Sequence, residues 1–418
     1  MRDDVFAPPL DRGEFPILQR LVGRDGARPL VYLDSAATAL VPERVIGAVE
    51  RFLRTSCANI HRGAHLLAEE ATDAYEGARE HLASFFGVDD PARVLLVQNA
   101  TDACNLAAFG WGARVLGPGD VVAVAEDNHH ANIVCWQMLA ERHGVEVAWI
   151  PIDADGRLDL EAWRLLAERA PGLVALSAQS NVLGFAQPDL RIVMEEAKRA
   201  GALVMLDGAQ AAGHGDVADF DRMPVDFYVA SAHKMMGLGG AGTLVCSDGA
   251  LERMAPVRGG GGMIERVDRE GYVVARRPNA FEAGTPAIAA TVAWSAALAM
   301  MEEAGLEAIR AHAGALAADA ARRLAELPGV RLLGDAALPR ESLVSFVVDG
   351  VHPHDAGRLL DDEGVMARAG HHCAQPLHRA IGVPSSVRAS FAGYSTASDV
   401  DALVAAVARM TEGAARCA

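Results

Sequence analysis

Ser231-Ala232-His233-Lys234 is the stretch that decides both the fold and the chemistry of this chain. It follows a largely apolar run at residues 225–230, which predicts a buried β-strand, and it precedes a glycine-rich turn at residues 237–242. Burial penalises an isolated charge, so a lysine at the end of a buried strand needs an amine that is paired, neutral or covalently used. Lys234 is therefore either a functional amine or a surface lysine that follows an edge strand.

A second apolar run lies upstream at residues 202–206 and ends in Asp207-Gly208-Ala209-Gln210. An aspartate at one strand end and a lysine at another match the needs of pyridoxal phosphate (PLP). The lysine forms a Schiff base with this cofactor, and the carboxylate keeps the pyridine nitrogen protonated. Asp207 therefore favours the functional interpretation of Lys234 over the surface one.

The order of apolar runs predicts the fold class. Strands are predicted at residues 93–97, 121–125, 145–150, 173–177, 202–206, 227–230 and 242–246, and helical patterns such as 131–143, 160–167 and 189–199 separate most of them. This alternation predicts an α/β fold with a mostly parallel central sheet and helices on both faces. After Pro286 the pattern changes to a long helical run at residues 287–327 and then to strands and helices of a smaller α+β domain.

The chain has 418 residues, which is more than one ordinary core accommodates. The predicted division is an N-terminal arm at residues 1–28 that packs with the small domain, a large cofactor-binding domain at 29–290, and a small C-terminal domain at 291–418. Residues 257–277, rich in glycine and arginine, are predicted as a loop or hairpin.

Charge and cysteine usage restrict the function classes. The formal net charge of −17 opposes nonspecific binding to nucleic acid or to acidic membranes, because both are anionic. No apolar run reaches transmembrane length, and the first thirty residues lack a signal-peptide core. The six cysteines are dispersed without a CxxC pair, which argues against a disulfide framework. We therefore expect a cytoplasmic enzyme without nucleic-acid or membrane partners.

The segment after the first predicted sheet strand has the features of a phosphate site. Residues 94–97 are followed by Gln98-Asn99-Ala100-Thr101-Asp102 and then by a helix, whose free N–H groups and dipole suit an anion. Thr101 could add a hydroxyl to a phosphate or could simply cap the helix. At the next strand end, His129 could stack on a cofactor ring or could be an ordinary loop histidine.

The turn at residues 237–242 also fits the pattern GxGxxG. A dinucleotide-binding fingerprint must follow a strand and begin a helix, whereas these glycines lead into the predicted strand at residues 242–246. The turn is instead predicted to let the backbone pass close to Lys234.

A second reactive centre is Arg368-Ala369-Gly370-His371-His372-Cys373-Ala374 in the small domain. A cysteine beside histidines and an arginine can have a depressed pKa, and its thiolate is a nucleophile. Two alternatives are an ordinary buried thiol and a metal site. The candidate ligands of such a metal site would be His352, His354, His371, His372 and Cys373, although their spacing is irregular and we predict no intrinsic metal.

The motifs together resemble the SufS-type, group II cysteine desulfurases within the class V aminotransferase group of fold-type I PLP enzymes. The similarity runs from Tyr32 almost to the C-terminus. Besides the motifs around Asp207, Lys234 and Cys373, it rests on Tyr32-Leu33-Asp34-Ser35-Ala36-Ala37, Asn59-Ile60-His61-Arg62-Gly63, Ser180-Asn181-Val182-Leu183-Gly184, Phe281-Glu282-Ala283-Gly284-Thr285-Pro286 and Arg388-Ala389-Ser390.

The resemblance implies a role for each of these positions. Lys234, Cys373 and His129 would be catalytic, and L-cysteine would become L-alanine while its sulfur forms a persulfide on Cys373 for iron–sulfur cluster assembly. Arg388 would bind the substrate carboxylate, with Asn181 and Arg368. The implied cofactor-binding set is Thr101, His129, Asp207, Gln210, Ser231, His233, Lys234 and, from the other subunit of a homodimer, Thr285.

The resemblance also implies a sulfur-acceptor protein. The segment Val351-His352-Pro353-His354-Asp355 is similar to that of desulfurases that serve a zinc-containing, SufU-like acceptor, so His354 is a candidate ligand to the partner's zinc. Alternatively, His354 caps the helix that begins near Asp355. Leu238 and Gly262 depart from the family pattern, which keeps open a selenocysteine lyase or another C–S lyase of specialised metabolism. A scaffold protein with an idle cofactor site is the third alternative.

Overall fold

The computed structural model describes residues 7–216 and 219–417, with side chains up to Glu412. The strands in chain order are β1 (Leu21–Val22), β2 (Arg28–Pro29), β3 (Val31–Tyr32), β4 (Val94–Val97), β5 (Val121–Ala125), β6 (Glu146–Ile150), β7 (Leu173–Ser177), β8 (Leu203–Asp207), β9 (Phe227–Ser231), β10 (Gly242–Cys246), β11 (Ile264–Val267), β12 (Tyr272–Val274), β13 (Val330–Leu332), β14 (Leu343–Val348), β15 (Val365–Met366), β16 (Arg368–Gly370) and β17 (Ser386–Ser390).

The α-helices are α1 (Glu43–Thr55), α2 (Leu66–Phe85), α3 (Ala100–Leu106), α4 (Ala113–Val115), α5 (Ala131–His143), α6 (Leu160–Ala167), α7 (Leu190–Arg199), α8 (Asp248–Leu251), α9 (Ile288–Ala304), α10 (Leu306–Ala325), α11 (Pro353–Asp362), α12 (Gln375–Ala380) and α13 (Ala397–Cys417). A π-helical segment, Ala107–Gly112, joins α3 to α4. None of the helices within 7–216 and 219–417 combines the length and apolar composition needed to cross a bilayer.

The central sheet has seven strands in the order β4-β10-β9-β8-β7-β5-β6. Strand β10 runs antiparallel to both of its neighbours, and the other six strands run in one direction. The mostly parallel sheet predicted from the alternating pattern is therefore confirmed. Because the carboxyl ends of parallel strands meet at one edge, this topology brings the segments that follow β4, β5, β7, β8 and β9 together.

Residues along each strand of the sheet alternate between two apolar layers. On β8, Val204 and Leu206 pack into one core cluster, whereas Met205 packs into the cluster on the other face. Helices α1, α2, α6, α7 and α9 cover the first face, and α3, α5 and α8 cover the second. Burial on both faces explains why these strands read as continuous apolar runs in the sequence.

A second sheet, with the order β13-β14-β17-β16, is antiparallel throughout, and helices α10, α11 and α13 share its core. The long helical run predicted at 287–327 is wrong in one respect. Gly305, with a φ of 87°, breaks it into α9 and α10. The hairpin alternative for residues 257–277 is confirmed by β11 and β12.

The division into an arm, a large domain and a small domain remains a proposal. Residues 1–6, 217, 218 and 418 lie outside the described residues. In the rest of the arm, the Leu10 amide donates to Gly393 and Arg12 pairs with Asp399, so these residues contact the segment that begins α13. Helix α9 continues across residue 290 and packs on α1 and α2, so a boundary at Gly305 fits its contacts better than one at 290.

A buried ion pair ties the helical layer to the segment before α9. Arg79 of α2 and Glu282 join at 2.6 Å, with side-chain exposures of 2% and 6%. Glu282 also accepts the Leu96 amide of β4 at 2.8 Å, and Arg79 donates to the carbonyl of Val94. This pair therefore fixes the Phe281–Pro286 segment, which includes Thr285, against the sheet.

We expect Glu282→Ala to lower the free energy of unfolding by about 3–5 kcal/mol, because it removes the buried carboxylate and leaves the buried Arg79 charge with only the partly exposed Glu76 as its ion partner. The matched control is Glu76→Ala, which removes the other carboxylate on Arg79; its side chain is 35% exposed, so the loss should stay below about 1 kcal/mol. Urea denaturation measures both values. Equal losses in the two variants would contradict the assignment of Glu282 as the anchor.

Candidate functional site

A cavity of about 480 Å³ lies at the carboxyl edge of the central sheet, between that sheet and the small domain. It brings together all but one of the residues predicted from the sequence to be catalytic or to bind cofactor or substrate. The residues that line it include Thr101, His129, Asn181, Asp207, Gln210, Ser231, His233, Lys234, Arg368, Cys373 and Arg388. The exception is Thr285, which lies in two adjoining cavities of about 220 and 340 Å³ that share residues 282 and 284–286.

Lys234 ends a short 3₁₀ turn, Ala232–Lys234, that directly continues strand β9. Burial is the main influence on its amine and lowers its pKa to about 8, although Asp207 acts in the opposite direction. Near neutral pH an appreciable fraction of this amine is therefore unprotonated. A neutral amine is the nucleophilic form that a Schiff base requires.

Asp207 ends β8, between Ser177 of β7 and Val229 of β9. Its Oδ1 atom accepts the Ala209 amide at 3.0 Å. Burial raises the pKa of the Asp207 carboxyl, and the Lys234 amine partly opposes this shift. A buried carboxylate in this position gains stability from a second cation, and the protonated pyridine nitrogen of PLP is such a group. The pair therefore fits the predicted cofactor.

The turn from β4 into α3 forms a cradle at the other end of the cavity. Asn99 caps α3 by accepting the Asp102 amide at 2.9 Å, and the Ser231 hydroxyl accepts the Ala100 amide at 2.7 Å. The alternative that Thr101 caps the helix is therefore wrong, and its exposed side chain lines the cavity instead. A Cβ at Gly242 would lie 2.5 Å from the Asn99 Cα, so glycine is required where β10 passes this turn.

Two further side chains have the chemistry to contact an aromatic cofactor. The Nδ1 atom of His129 accepts the Ala131 amide at 3.1 Å, and burial lowers the pKa of His129 to about 3, so the ring is neutral. Gln210 donates from Nε2 to the Ala36 carbonyl at 2.7 Å, while its buried Oε1 has no partner among the described residues. An amide nitrogen carries a second hydrogen, which remains for a ligand acceptor.

Arg388, from the small domain, and Asn181, from the loop after β7, form one wall of the cavity. Arg388 is 2% exposed and donates to the Asn181 carbonyl at 2.9 Å, and its Nε is buried without a partner among the described residues. Asn181 likewise has an unpartnered Oδ1. Burial lowers the pKa of Arg388 to about 10, which leaves the guanidinium charged at neutral pH. A charged guanidinium in a buried wall suits a carboxylate ligand.

Cys373 is exposed and sits in a tight turn whose closing bond runs from the Ala374 amide to the His371 carbonyl at 2.9 Å. Both central residues are left-handed, with φ of 50° at His372 and 56° at Cys373. The large domain holds both carbonyls, because Asn181 Nδ2 donates to His372 O at 2.6 Å and the His130 amide donates to Cys373 O at 2.7 Å. The nucleophile candidate is therefore placed by groups outside its own domain.

The histidine beside the cysteine does not act as the sequence suggested. His372 is buried, its Nε2 faces the carbonyl and hydroxyl of Ser386, and burial lowers its pKa to about 2. A neutral ring supplies no positive charge to a thiolate, so that part of the expectation for Cys373 is wrong. The cations near the thiol are Arg368, Arg388 and Lys234, whose own pKa values respond to Cys373.

His354 lies outside the cavity, on α11. The cap of this helix is His352, whose Nδ1 accepts the His354 amide at 3.3 Å, so the alternative of His354 as the cap is wrong. The ring of His354 is exposed and stacks on that of His352 at 5.4 Å. Its Cε1 lies near Gly370, directly before the cysteine turn. No set of three or more metal-ligating side chains converges among the described residues.

Sequence reasoning missed two residues, one behind the cavity wall and one in it. Asp34 binds Arg368 through both carboxylate oxygens, so part of the Arg368 guanidinium is directed at Asp34. Gln179 lines the wall with a buried, unpartnered Oε1, and its Nε2 donates to Ser342 at 2.9 Å. Asp34 stood within a recognised motif, but a partner 334 residues away in sequence leaves no local signal.

Comparison with known proteins is consistent with this geometry. The model of the aminotransferase class-V family matches residues 31–403. A protein of Halobacterium salinarum named "Probable cysteine desulfurase" is 44% identical over 396 residues, covering 95% of this chain and 94% of its own. A cysteine desulfurase of Haloferax volcanii is 40% identical over 406 residues, covering 95% of each chain. The crystal structure of an Escherichia coli cysteine desulfurase superposes with a TM-score of 0.86 at 38% identity, covering 96% of this chain and 97% of that one.

Only two lysines, Lys198 and Lys234, occur in the whole sequence, which makes the cofactor attachment directly testable. We expect borohydride to fix PLP covalently to the Lys234 peptide, and Lys234→Ala to lose the covalent label, because no other lysine lines the cavity. Lys198→Arg is the control, since Lys198 is paired with Asp226 at 2.6 Å and should not affect labelling. Peptide mass spectrometry measures the result, and label on Lys198 would refute the assignment.

Proposed function

This chain belongs to the class V aminotransferase family and is a PLP-dependent cysteine desulfurase, and we propose that it is a SufS-type, group II member that supplies sulfur for iron–sulfur cluster assembly. One observation carries the proposal: Cys373 lies in the wall of the same cavity as Lys234 and Asp207. The short cysteine turn, fixed at both carbonyls, supports the group II assignment. The cytoplasmic location expected from composition stays a prediction.

The proposed roles follow from the polar groups of the cavity. PLP, when bound, supplies an electron sink for negative charge at the substrate Cα. Lys234 holds the cofactor and, with a pKa of about 8, can take and return the Cα proton. Asp207 pairs with the pyridine nitrogen, Gln210 with the phenolic oxygen, and His129 packs on the ring as a neutral imidazole.

The remaining cavity residues would hold the two ends of the ligands. Thr101, Ser231 and His233 bind the cofactor phosphate beside the amides that begin α3. Arg388 binds the substrate carboxylate, assisted by Asn181 and Arg368, which line the same cavity. Fixing the substrate at its carboxylate orients its side chain relative to the Cys373 thiol.

The sulfur step would balance without an external oxidant or reductant. The Cys373 thiolate attacks the substrate sulfur, an S–S bond forms, and the Cβ–S bond breaks. The electron pair of the broken bond stays with the three-carbon fragment, which is protonated and leaves as L-alanine. The substrate sulfur remains on Cys373 as a persulfide, ready for transfer to an acceptor protein.

We expect Cys373→Ser to retain the cofactor absorbance and its change on adding L-cysteine, but to lose sulfide production by at least about 100-fold, because a hydroxyl is a poor nucleophile towards sulfur. The control is Cys57→Ser, which removes the other exposed cysteine among residues 7–412. Sulfide and alanine assays with L-cysteine and L-selenocysteine measure both variants. Undiminished sulfide from Cys373→Ser would favour the alternative C–S lyase, and a strong preference for L-selenocysteine would favour a selenocysteine lyase.

A homodimer is the second part of the proposal. Thr285, the residue expected to reach a cofactor phosphate from the other subunit, lies beside the β11–β12 hairpin rather than in its own chain's main cavity. Val267 and Tyr272 on that hairpin are 65% and 66% exposed. Exposed apolar side chains grouped in this way mark contact surfaces. A second copy covering the hairpin would bring its Thr285 towards the phosphate cradle.

Mixed dimers test this arrangement. Lys234→Ala chains and Thr285→Val chains should each be inactive or severely weakened, and their mixture after subunit exchange should recover activity. Each hybrid would hold one site with an intact Lys234 and an intact Thr285 from its partner chain. Sedimentation and desulfurase assays measure the result. A fully active monomer, or a mixture with no gain over the separate variants, would contradict the shared site.

A zinc-containing, SufU-like acceptor is the third part of the proposal. His354 supports it, because the ring is exposed, free of the capping role, and beside Gly370 at the start of the cysteine segment. A neutral imidazole can replace a thiolate ligand of zinc and release that thiol to receive sulfur.

We expect such an acceptor to accelerate the wild-type enzyme and to fail with His354→Ala, while the basal rate of that variant stays unchanged. Arg358→Ala, an exposed position four residues along the same helix, is the matched control and should keep the stimulation. Turnover with and without the acceptor gives the answer. Equal stimulation of all three proteins would remove His354 from the proposal.

A further inference from the structure

Asp34 holds the two arginines of the cavity wall in a single ion cluster. Its carboxylate accepts Arg368 Nε at 3.0 Å and Arg368 Nη2 at 2.8 Å, and Arg388 Nη2 lies 3.5 Å from Oδ1. The side chain of Asp34 is 18% exposed, that of Arg388 is 3% exposed and that of Arg368 is 48% exposed. One carboxylate therefore serves one buried and one half-exposed guanidinium.

The two arginines would repel each other without this carboxylate. Arg368 on β16 and Arg388 on β17 are direct cross-strand partners, so their side chains project from the same face of the small sheet. Like charges placed directly opposite are destabilising. Strand register fixes the Cα atoms of both arginines opposite each other, so the side chains start from neighbouring positions on one face.

Asp34 is held in place by the backbone on both of its sides. The preceding strand β3 pairs with β15, and the Leu33 amide donates to Met366 at 2.9 Å. The Ser390 amide donates to Leu33 O at 2.8 Å, and Asp34 itself pairs with Ser390 in a single parallel bridge. The backbone at Asp34 is thus held between Met366 and Ser390, each of which is two residues from one of the arginines.

We propose that Asp34 is a positioning residue for recognition of the substrate carboxylate. This role rests on the proposed function and extends it to a residue that does not itself line the cavity. Asp34 and the Asn181 carbonyl restrain the two terminal nitrogens of the Arg388 guanidinium in the cavity wall. Two arginines and one aspartate leave one net positive charge, which a single carboxylate neutralises. Asp34 also opposes the effect of burial on Arg388 and so keeps it charged.

Asp34→Asn tests the inference on the PLP-loaded enzyme with L-alanine and ethylamine, which differ in the carboxylate. Dissociation constants come from the absorbance of the bound cofactor. We expect the constant for L-alanine to rise on the order of 10-fold, the scale of one charge-assisted contact, with ethylamine unchanged. With L-cysteine, KM should rise in parallel while kcat changes little, and Asp34→Glu should restore part of the loss.

Asp319→Asn is the matched control, because Asp319 is 12% exposed and also shared by two arginines, Arg322 and Arg323, on α10. It should leave both constants unchanged. Unaltered or tighter L-alanine binding by Asp34→Asn would overturn the inference, since tighter binding would make Asp34 a competitor of the substrate. An equal loss for ethylamine would also overturn it, as a general structural effect. The two dissociation constants do not need desulfurase turnover, so a wild type inactive on L-cysteine would refute only the proposed function.

Discussion

Hydrogen bonds from the small domain to the loop after β7 are the constraint on which the rest of the site depends. Lys234 and Asp207 come from the central sheet, whereas Cys373 and Arg388 come from the small domain. Buried backbone carbonyls must find donors, and this loop finds them across the domain boundary. Three side chains of the small domain donate to it. Ser345 Oγ donates to Val182 O at 2.6 Å, Arg340 Nη1 donates to Leu183 O at 2.5 Å, and Arg388 Nη1 donates to Asn181 O at 2.9 Å.

The charge states of the groups inside the cavity follow from this packing of the small domain against the loop after β7. Exclusion of water lowers the pKa values of Lys234 and Arg388 and raises that of Asp207, so each group depends on its neighbours for its charge state. The neutral rings of His129 and His372 keep additional positive charge out of the cavity. The cavity organised in this way holds the Lys234 amine and the Arg388 guanidinium, the groups proposed to react with the cofactor and to bind the substrate carboxylate.

The sequence predicted the central sheet well because its strands are buried on both faces, and their apolar runs are unambiguous. It also placed Lys234 and Asp207 together, since parallel strands end at a common edge. It could not predict short elements such as β3 and β16, whose pairing is set by tertiary contacts rather than by periodicity. The proposed role of Asp34 could not be predicted for the same reason, because it depends on tertiary contacts. The neutral state of His372 and the helix caps at Asn99 and His352 were likewise not predicted.

The position of the cysteine shows how local strain is balanced by distant contacts. Two consecutive non-glycine residues in the left-handed region, His372 and Cys373, cost about 1–2 kcal/mol each. The bonds from Asn181 Nδ2 and the His130 amide offset this cost only when the two domains are packed together. The turn that presents the thiol is therefore favourable in the closed arrangement and strained outside it. Placement of Cys373, the proposed nucleophile, is thus a property of the domain interface, which no segment around Cys373 encodes by itself.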